Sequence, residues 1–210
     1  DDFLVSSAIA DLTTDGVLSI RTLETTPRNS LLVSPDAVTA VVDGGETVAG
    51  LSAADAGLVD DTYDHYDASW QSAPEFTLRT PPLSQVRTTL EAEIGPDAAA
   101  DFDAALDALD AARGNGDGLD EVTVSLVVAA RNDVLLYDVS KWGEDVGLAS
   151  KATFSRTKTN LEEAGVIDTD KVPIDVGRPR LRLKLGDDDL VDLSVAELIV
   201  RVQDRVAAEA

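Results

Sequence analysis

The 210-residue chain contains no cysteine, and aromatic residues make up only 4% of it. Without cysteine it can form neither a disulfide nor a thiolate metal site, and it has no cysteine nucleophile. No run approaches the roughly 18 apolar residues of a membrane span, and no secretory leader is visible. The sequence therefore predicts a cytoplasmic protein with no membrane partner. The first residue is not Met, so the sequence as printed can lack a leader, a tag or a short N-terminal segment.

Histidine is nearly absent as well, which leaves few groups for acid–base chemistry. The single histidine, His65, lies in an acidic stretch with Asp60, Asp61 and Asp64, and such runs are usually solvated. The chain has neither a Gly-rich phosphate loop nor a nucleophile elbow. We therefore predict no catalytic residue, no metal site and no cofactor. A small-molecule-binding enzyme domain remains the less favoured alternative.

Basic residues are scarce: 17 Lys and Arg oppose 40 Asp and Glu, which gives a net charge of −23. Such a surface ordinarily repels nucleic acid. At about 1 M salt, however, charges are screened within about 3 Å, so a dense carboxylate surface is tolerable. Scarce lysine, abundant aspartate and small core side chains resemble proteins of halophilic archaea. On this interpretation the net charge reports the environment, and local reversals of charge report the partners.

One such reversal lies between Ser150 and Lys184. This segment has eight Lys or Arg against five Asp or Glu, a net of +3, so the rest of the chain carries −26. Ser150 is a good helix N-cap, residues 151–164 contain no Pro or Gly, and Gly165 suits a left-handed end. The sequence thus predicts a helix over 150–164, with Phe154 and Leu161 on its apolar face.

A β hairpin follows this predicted helix. Residues 171–176 and 180–185 read as strands around a tight turn at Gly177-Arg178-Pro179. A recognition helix and a wing over 171–185 predict binding to double-stranded DNA. Arg156 and Asn160 suit base edges, with Lys151 as a further candidate, whereas Ser155, Thr159 and Lys158 suit phosphates, unless Lys158 lies beside the apolar face. The predicted DNA-binding residues are Lys151, Thr153, Ser155, Arg156, Lys158, Thr159, Asn160, Arg178 and Arg180.

Residues 1–112 read as an α/β regulatory or dimerisation domain, since predicted strands and helices alternate. A helix after Ser34-Pro35-Asp36 is favoured over a hairpin about residues 43–45, because that triplet is a helix start signal. The helix over 53–72 is predicted to bury a stripe. The predicted strands are 17–23, 31–33, 47–51 and 75–79; the stripe is Leu58, Val59, Tyr63, Tyr66 and Trp70.

Three glycines in residues 113–119 predict a linker. A winged helix-turn-helix domain is expected over 120–192, with helices at 120–130 and 138–146 and a short strand at 134–137 before the recognition helix. Residues 193–210 predict an amphipathic helix, started by a capping box at Ser194 and Glu197. Its apolar seam either packs on its own domain or joins a homodimer, as in symmetric DNA readers.

The segment Gly147–Ile167 resembles the recognition helix of archaeal and bacterial winged-helix regulators. The chain as a whole resembles the haloarchaeal TbsP group of transcriptional regulators, whose α/β N-terminal domain is joined to a winged helix. The resemblance implies control of central carbon metabolism genes, with sensing by the N-terminal domain. The residues that match the recognition-helix pattern of the winged-helix regulators are Thr153, Ser155, Arg156, Leu161, Gly165 and Ile167.

An effector and a different partner class remain open on the sequence. Arg21, Arg28 and Arg79 are sparse bases in an acidic region, and they either bind a small anionic metabolite or lie solvated and ion-paired. The winged helix can also serve as a protein-interaction module. The sequence does not decide between repression and activation; we favour a repressor.

The charge interpretation predicts a dependence of folding on salt. We expect the chain to lose native structure in dilute buffer, where repulsion among 40 carboxylates is unscreened. Circular dichroism across a KCl series measures this. Full native structure in dilute buffer would contradict halophilic adaptation.

Overall fold

A computed structural model describes residues 3–45, 47–111, 119–175 and 177–209. Contacts divide the chain into two compact units, a smaller one of residues 18–77 and a larger one of residues 1–17 with 78–210. The helices are α1 Phe3–Thr14, α2 Ala56–Ser72, α3 Leu83–Glu93, α4 Pro96–Ala111, α5 Glu121–Arg131, α6 Leu136–Val146, α7 Lys151–Glu163, α8 Asp188–Val191 and α9 Val195–Glu209, and the strands are β1 Ser30–Val33, β2 Val38–Asp43, β3 Val48–Ala53, β4 Ile167–Val172 and β5 Arg180–Leu185.

The smaller unit is an antiparallel sheet in the order β1-β2-β3, followed by α2. The predicted helix after Ser34 is wrong, and the rival hairpin forms instead, with Asp43 paired to Val48. The Ser34 Oγ accepts a hydrogen bond from the Ala37 N–H at 3.1 Å, which closes a turn between β1 and β2. The same serine that can cap a helix therefore stabilises a turn here.

This unit has a thin core. Its buried residues, among those described, are Val38, Val59 and Ala73. Of the predicted α2 stripe only Val59 is buried, and Tyr63 is 59% exposed. The predicted strands 17–23 and 75–79 meet only in a single bridge between Arg21 and Glu75. The sheet is therefore smaller than the α/β pattern predicts.

The larger unit is organised around α5. Every residue from Val122 to Ala130 is buried, so this helix is surrounded on all sides. The Asp120 carboxylate accepts a hydrogen bond from the Thr123 N–H at 2.7 Å and caps the helix. At the same end, burial raises the pKa of Glu121. The elements packed against α5 are α4, α6, α7, β4 and β5.

The division into units does not follow the predicted boundary between 112 and 120. Helices α3 and α4 share one core with α5 and α6, and the Trp142 Nε1–H on α6 donates to the Thr89 Oγ1 on α3 at 2.9 Å. Helix α1 joins the same unit, since the Ser7 Oγ donates to the Pro81 carbonyl at 2.6 Å. Of the predicted linker 113–119, only Leu119 lies within the described residues.

Helix α9 carries its predicted apolar seam into the core of the larger unit. Leu198, Ile199 and Val202 are at most 1% exposed within the single chain, so the seam is not available as a dimer contact. The capping box is present, with the Ser194 N–H donating to Glu197 at 2.9 Å. This favours the intrachain alternative for the helix. No helix within the described ranges is long and apolar enough to cross a membrane.

The contact between α6 and α7 predicts an effect on stability. A Cβ at Gly143 would lie 2.3 Å from the Phe154 Cζ, and that ring is fully buried. We expect Gly143→Ala to destabilise the larger unit by about 1–3 kcal/mol through overpacking. Urea unfolding measures the change. Gly57→Ala is the control, because a Cβ there would lie 3.4 Å from its nearest neighbour, the Asp55 Oδ1; an equal loss in both variants would contradict the packing argument.

Candidate nucleic-acid interface

Local signals fix both ends of α7 as predicted. The Ser150 Oγ accepts a hydrogen bond from the Thr153 N–H at 3.2 Å and lies 3.0 Å from the Thr153 hydroxyl. At the other end Gly165 is left-handed, with a φ of +65°. Thr153 is therefore part of the helix cap, which limits what its hydroxyl can offer to a ligand.

Helix α7 buries one face and exposes the opposite one. Phe154 and Leu161 are 0% and 2% exposed and face the core. Residues three and four apart share a helix face, so the exposed residues opposite Phe154 and Leu161 form one continuous stripe. We call it the α7 stripe; it consists of Ala152, Ser155, Arg156, Thr159, Asn160 and Glu163.

Four predicted DNA-binding residues lie together on the α7 stripe. Arg156 and Asn160 are one turn apart, and within the described residues no ion pair engages the Arg156 guanidinium. The Thr159 hydroxyl donates to the Ser155 carbonyl at 3.1 Å, which leaves its oxygen as an acceptor. The stripe thus presents a free guanidinium, an amide and two hydroxyls to solvent.

The two lysines of α7 are placed differently. The Lys151 Nζ lies 2.6 Å from the Glu144 carboxylate, which raises the pKa of Lys151 and lowers that of Glu144. The Lys158 Nζ lies 2.6 Å from Glu162, and the Lys158 side chain is only 12% exposed. Lys158 therefore lies on the flank of the apolar face, the second of its two predicted positions.

The hairpin after α7 starts earlier than predicted. Strand β4 covers Ile167–Val172 rather than 171–176, because Ile167 is buried directly after the helix and Pro173 cannot continue a ladder. A loop over 173–179, of which 176 is not described, replaces the predicted tight turn. Strand β5 matches its predicted bounds and pairs on its other edge with Leu135, the remnant of the predicted strand 134–137.

The two predicted hairpin arginines have different surroundings. Arg178 lies exposed in the loop. Arg180 is anchored instead: its guanidinium lies 4.1 Å from the centre of the Tyr137 ring and 3.4 Å from Asp138. Arg180 therefore lies at the loop end of the β4–β5 ladder, paired with Val172, and is tied there to α6. Arg178 remains the exposed cation of the loop.

Acidic residues accompany the basic ones on the outer face of the hairpin. Arg182 and Lys184 on β5 lie opposite Asp170 and Asp168 on β4. Lys184 also forms an ion pair with Asp170, which raises the pKa of Lys184. These pairs cancel much of the positive charge that the sequence assigns to the segment.

Sequence reasoning missed two residues of the candidate interface. Ala152 lies on the α7 stripe one turn before Arg156, and its methyl group suits the methyl of a thymine. Its position four residues before Arg156 is the sequence signal that could have identified it. Glu144 lies on α6, and its contact with Lys151 depends on the turn at Gly147, which has a φ of +88°. No local pattern in the sequence predicts that contact.

The arginines considered for an anionic metabolite are not gathered into a site within either unit. The Arg21 guanidinium donates to the Ala73 carbonyl at 2.7 Å, lies 3.4 Å from Glu75 and stands 5.3 Å from the Trp70 ring centre. Arg28 belongs to the smaller unit and Arg79 to the larger one, and both are exposed. For Arg21 this favours the ion-paired alternative.

Helix α6, the left-handed turn at Gly147 and the exposed α7 define the larger unit as a helix-turn-helix domain. Two family models together cover almost the whole chain. One, described as "Transcriptional regulator TbsP-like, C-terminal HTH domain", matches residues 82–203, and "Transcriptional regulator TbsP-like, N-terminal" matches residues 1–81. The chain belongs to the TbsP-like transcriptional regulators. Neither a curated protein nor a solved structure matches it.

The family boundary at 81/82 lies close to the boundary between the compact units at 77/78. Helices α3 and α4 fall on the HTH side of both divisions. The family match therefore agrees with the packing of these helices around α5.

Proposed function

We propose that the chain regulates transcription by placing the α7 stripe in the major groove of promoter DNA. The observation that carries this proposal is the pairing of an uncommitted Arg156 with Asn160, one turn apart on an exposed helix face. An arginine can bond guanine bidentately, and an asparagine can bond adenine in the same way. Ala152 then suits a thymine methyl, and the hydroxyls of Ser155 and Thr159 suit phosphates.

In this proposal the β4–β5 hairpin serves as the wing. Arg178, exposed in the loop, enters or flanks the minor groove, where narrow A·T tracts attract arginine. Arg180 ties the loop end of the wing to α6 through Tyr137 and Asp138 and does not contact bases. Thr153 and Lys158 act through the cap and the flank of α7, and so position the helix.

The biological setting follows from the charge and from the family resemblance. We propose a cytoplasmic regulator of a halophilic archaeon that binds its operator as a homodimer and represses genes of central carbon metabolism. At high salt the release of counterions contributes little, so hydrogen bonds and shape supply most of the affinity. The net charge of −23 then keeps the protein from non-specific DNA.

The role of Arg156 is tested by Arg156→Ala. We expect a loss of about 1–3 kcal/mol in specific binding and relaxed specificity at one base position. Genome-wide occupancy in the native host identifies the operators, and fluorescence anisotropy at molar KCl measures affinity on one of them. Arg201→Ala is the matched control, an exposed helix arginine on α9. Unchanged binding by Arg156→Ala would contradict this assignment, and the absence of any promoter binding would contradict the function.

The pair between Lys151 and Glu144 predicts a gain of affinity. In Glu144→Gln the Lys151 ammonium loses its carboxylate partner and becomes available to a phosphate. We expect tighter binding and a slope of log affinity against log salt that is steeper by about 1. Asp145→Asn removes the same charge from the next residue of α6, where Asp145 pairs with Lys141 instead. An equal gain in both variants would show a general effect of charge and contradict the specific one.

A further inference from the structure

Strand β3 is an edge strand whose outer side is unprotected. Among the described residues β3 pairs only with β2, and its sequence, VAGLSA, contains neither a charge nor a proline. Proteins usually protect an edge of this length with lysine, proline, a bulge or a covering element. Val48 and Leu51 are 66% and 68% exposed, so their side chains lie uncovered. The edge can therefore accept another strand.

The alternation of hydrogen bonds along the β2–β3 hairpin determines which backbone groups of β3 point away from β2. The Gly44 N–H donates to the Thr47 carbonyl at 2.8 Å, which makes these two residues a hydrogen-bonded pair. Because such pairs alternate along an antiparallel ladder, Ala49, Leu51 and Ala53 bond to β2. The free N–H and C=O groups, which point away from β2, belong to Val48, Gly50 and Ser52.

The hydrogen bonds between β2 and β1 lead to the same assignment. The Ser34 N–H donates to the Ala37 carbonyl at 2.9 Å, so alternation makes Thr39 and Val41 the residues of β2 that bond to β1. The alternate residues of β2, Val38 and Ala40 among them, are then left to bond to β3. The two independent turns thus agree on which groups of β3 face outward.

We propose that a second copy of this chain adds its own β3 to this edge, antiparallel, about a two-fold axis at Gly50. Val48 of each copy then pairs with Ser52 of the other, and Gly50 pairs with Gly50. This register engages all three outward residues of both strands, whereas a shift by two leaves one on each strand unpaired. The two sheets join into one sheet of six strands. The proposal supplies the surface for the homodimer proposed above.

The local neutrality of β3 lets an identical strand lie beside it without like charges meeting inside the paired segment. The chain carries −23, yet β3 itself contains no charged residue, and the acids nearest to it in the sequence are Glu46 and Asp55. A basic partner would be drawn to the carboxylate surface, while a neutral edge matches a neutral edge. In the proposed register each Leu51 lies opposite Ala49 of the other copy, so the small residue leaves room for the exposed leucine. Gly50 on the axis has no side chain to separate the strands.

The first test is the oligomeric state of the full chain in molar KCl, which screens the repulsion between two acidic copies. We expect the native chain to sediment at twice 22.1 kDa and Leu51→Lys at 22.1 kDa. Leu32→Lys is the matched control, because Leu32 is 66% exposed on β1, the opposite edge of the same sheet, and it should remain a dimer. Circular dichroism verifies that each variant is folded.

The second test determines the register between the two β3 strands by disulfide cross-linking. Because the chain has no cysteine, only the introduced cysteines can form a disulfide. Ala49 and Leu51 of opposite copies form a non-hydrogen-bonded pair, with Cα atoms about 4.5 Å apart, within the range of a disulfide. Two copies of the same residue lie on a diagonal, about 7–8 Å apart, which is too far. An oxidised mixture of Ala49→Cys and Leu51→Cys chains should therefore give a covalent dimer, and neither variant should do so alone.

A monomeric native chain would overturn the proposal, as would a Leu51→Lys variant that stays dimeric or a mixture that does not cross-link. Both readouts are made without DNA. Their failure therefore leaves the role of α7 untouched, and a loss of promoter binding by Arg156→Ala leaves the interface untouched.

Discussion

The contact between Phe154 and Gly143 determines how α7 stands on the larger unit. Helix α7 buries only Phe154 and Leu161, so its orientation depends on these two side chains. The Phe154 ring occupies the space that a side chain at position 143 would fill, which brings α7 close to α6. Both helices rest on α5, which is buried over Val122–Ala130. A well-packed core moves little, so the α7 stripe is presented in one orientation.

The elements that the sequence predicts well are those with local signals. A serine cap and a left-handed glycine define α7, and a capping box with a three- and four-residue seam defines α9. The helix predicted after Ser34 is wrong because the triplet that can start a helix can also form a turn. The β-branched residues after that turn then form strand β2, which is stabilised by pairing with residues 48–53. The buried stripe predicted for α2 fails since periodicity does not show whether anything covers it. Non-local pairing and packing decided both cases.

The candidate site shows the same limit. Helical spacing predicts that Arg156 and Asn160 share a face, because that relation is local. The ion pair between Lys151 and Glu144 crosses the Gly147 turn, and the anchor of Arg180 on Tyr137 joins residues 43 apart in the chain. Counting charges treats these bases as free, although their partners are acids of the same domain. In an acidic chain a surface cation usually has a carboxylate nearby, so an unpaired cation such as Arg156 is the more informative feature.

The two units differ in the number of buried residues that can stabilise them. The larger one surrounds a fully buried helix, whereas the smaller one, 60 residues from 18 to 77, has Val38, Val59 and Ala73 as its buried residues within the described part of the chain. A domain of about 60 residues is marginal even with an ordinary core. Anything that binds only the folded form adds stability by mass action. A unit with so little internal burial therefore gains most from an intermolecular contact, and its unpaired neutral edge is the part of its sheet best suited to make one. Folding of this unit and association of the chain are then expected to be coupled.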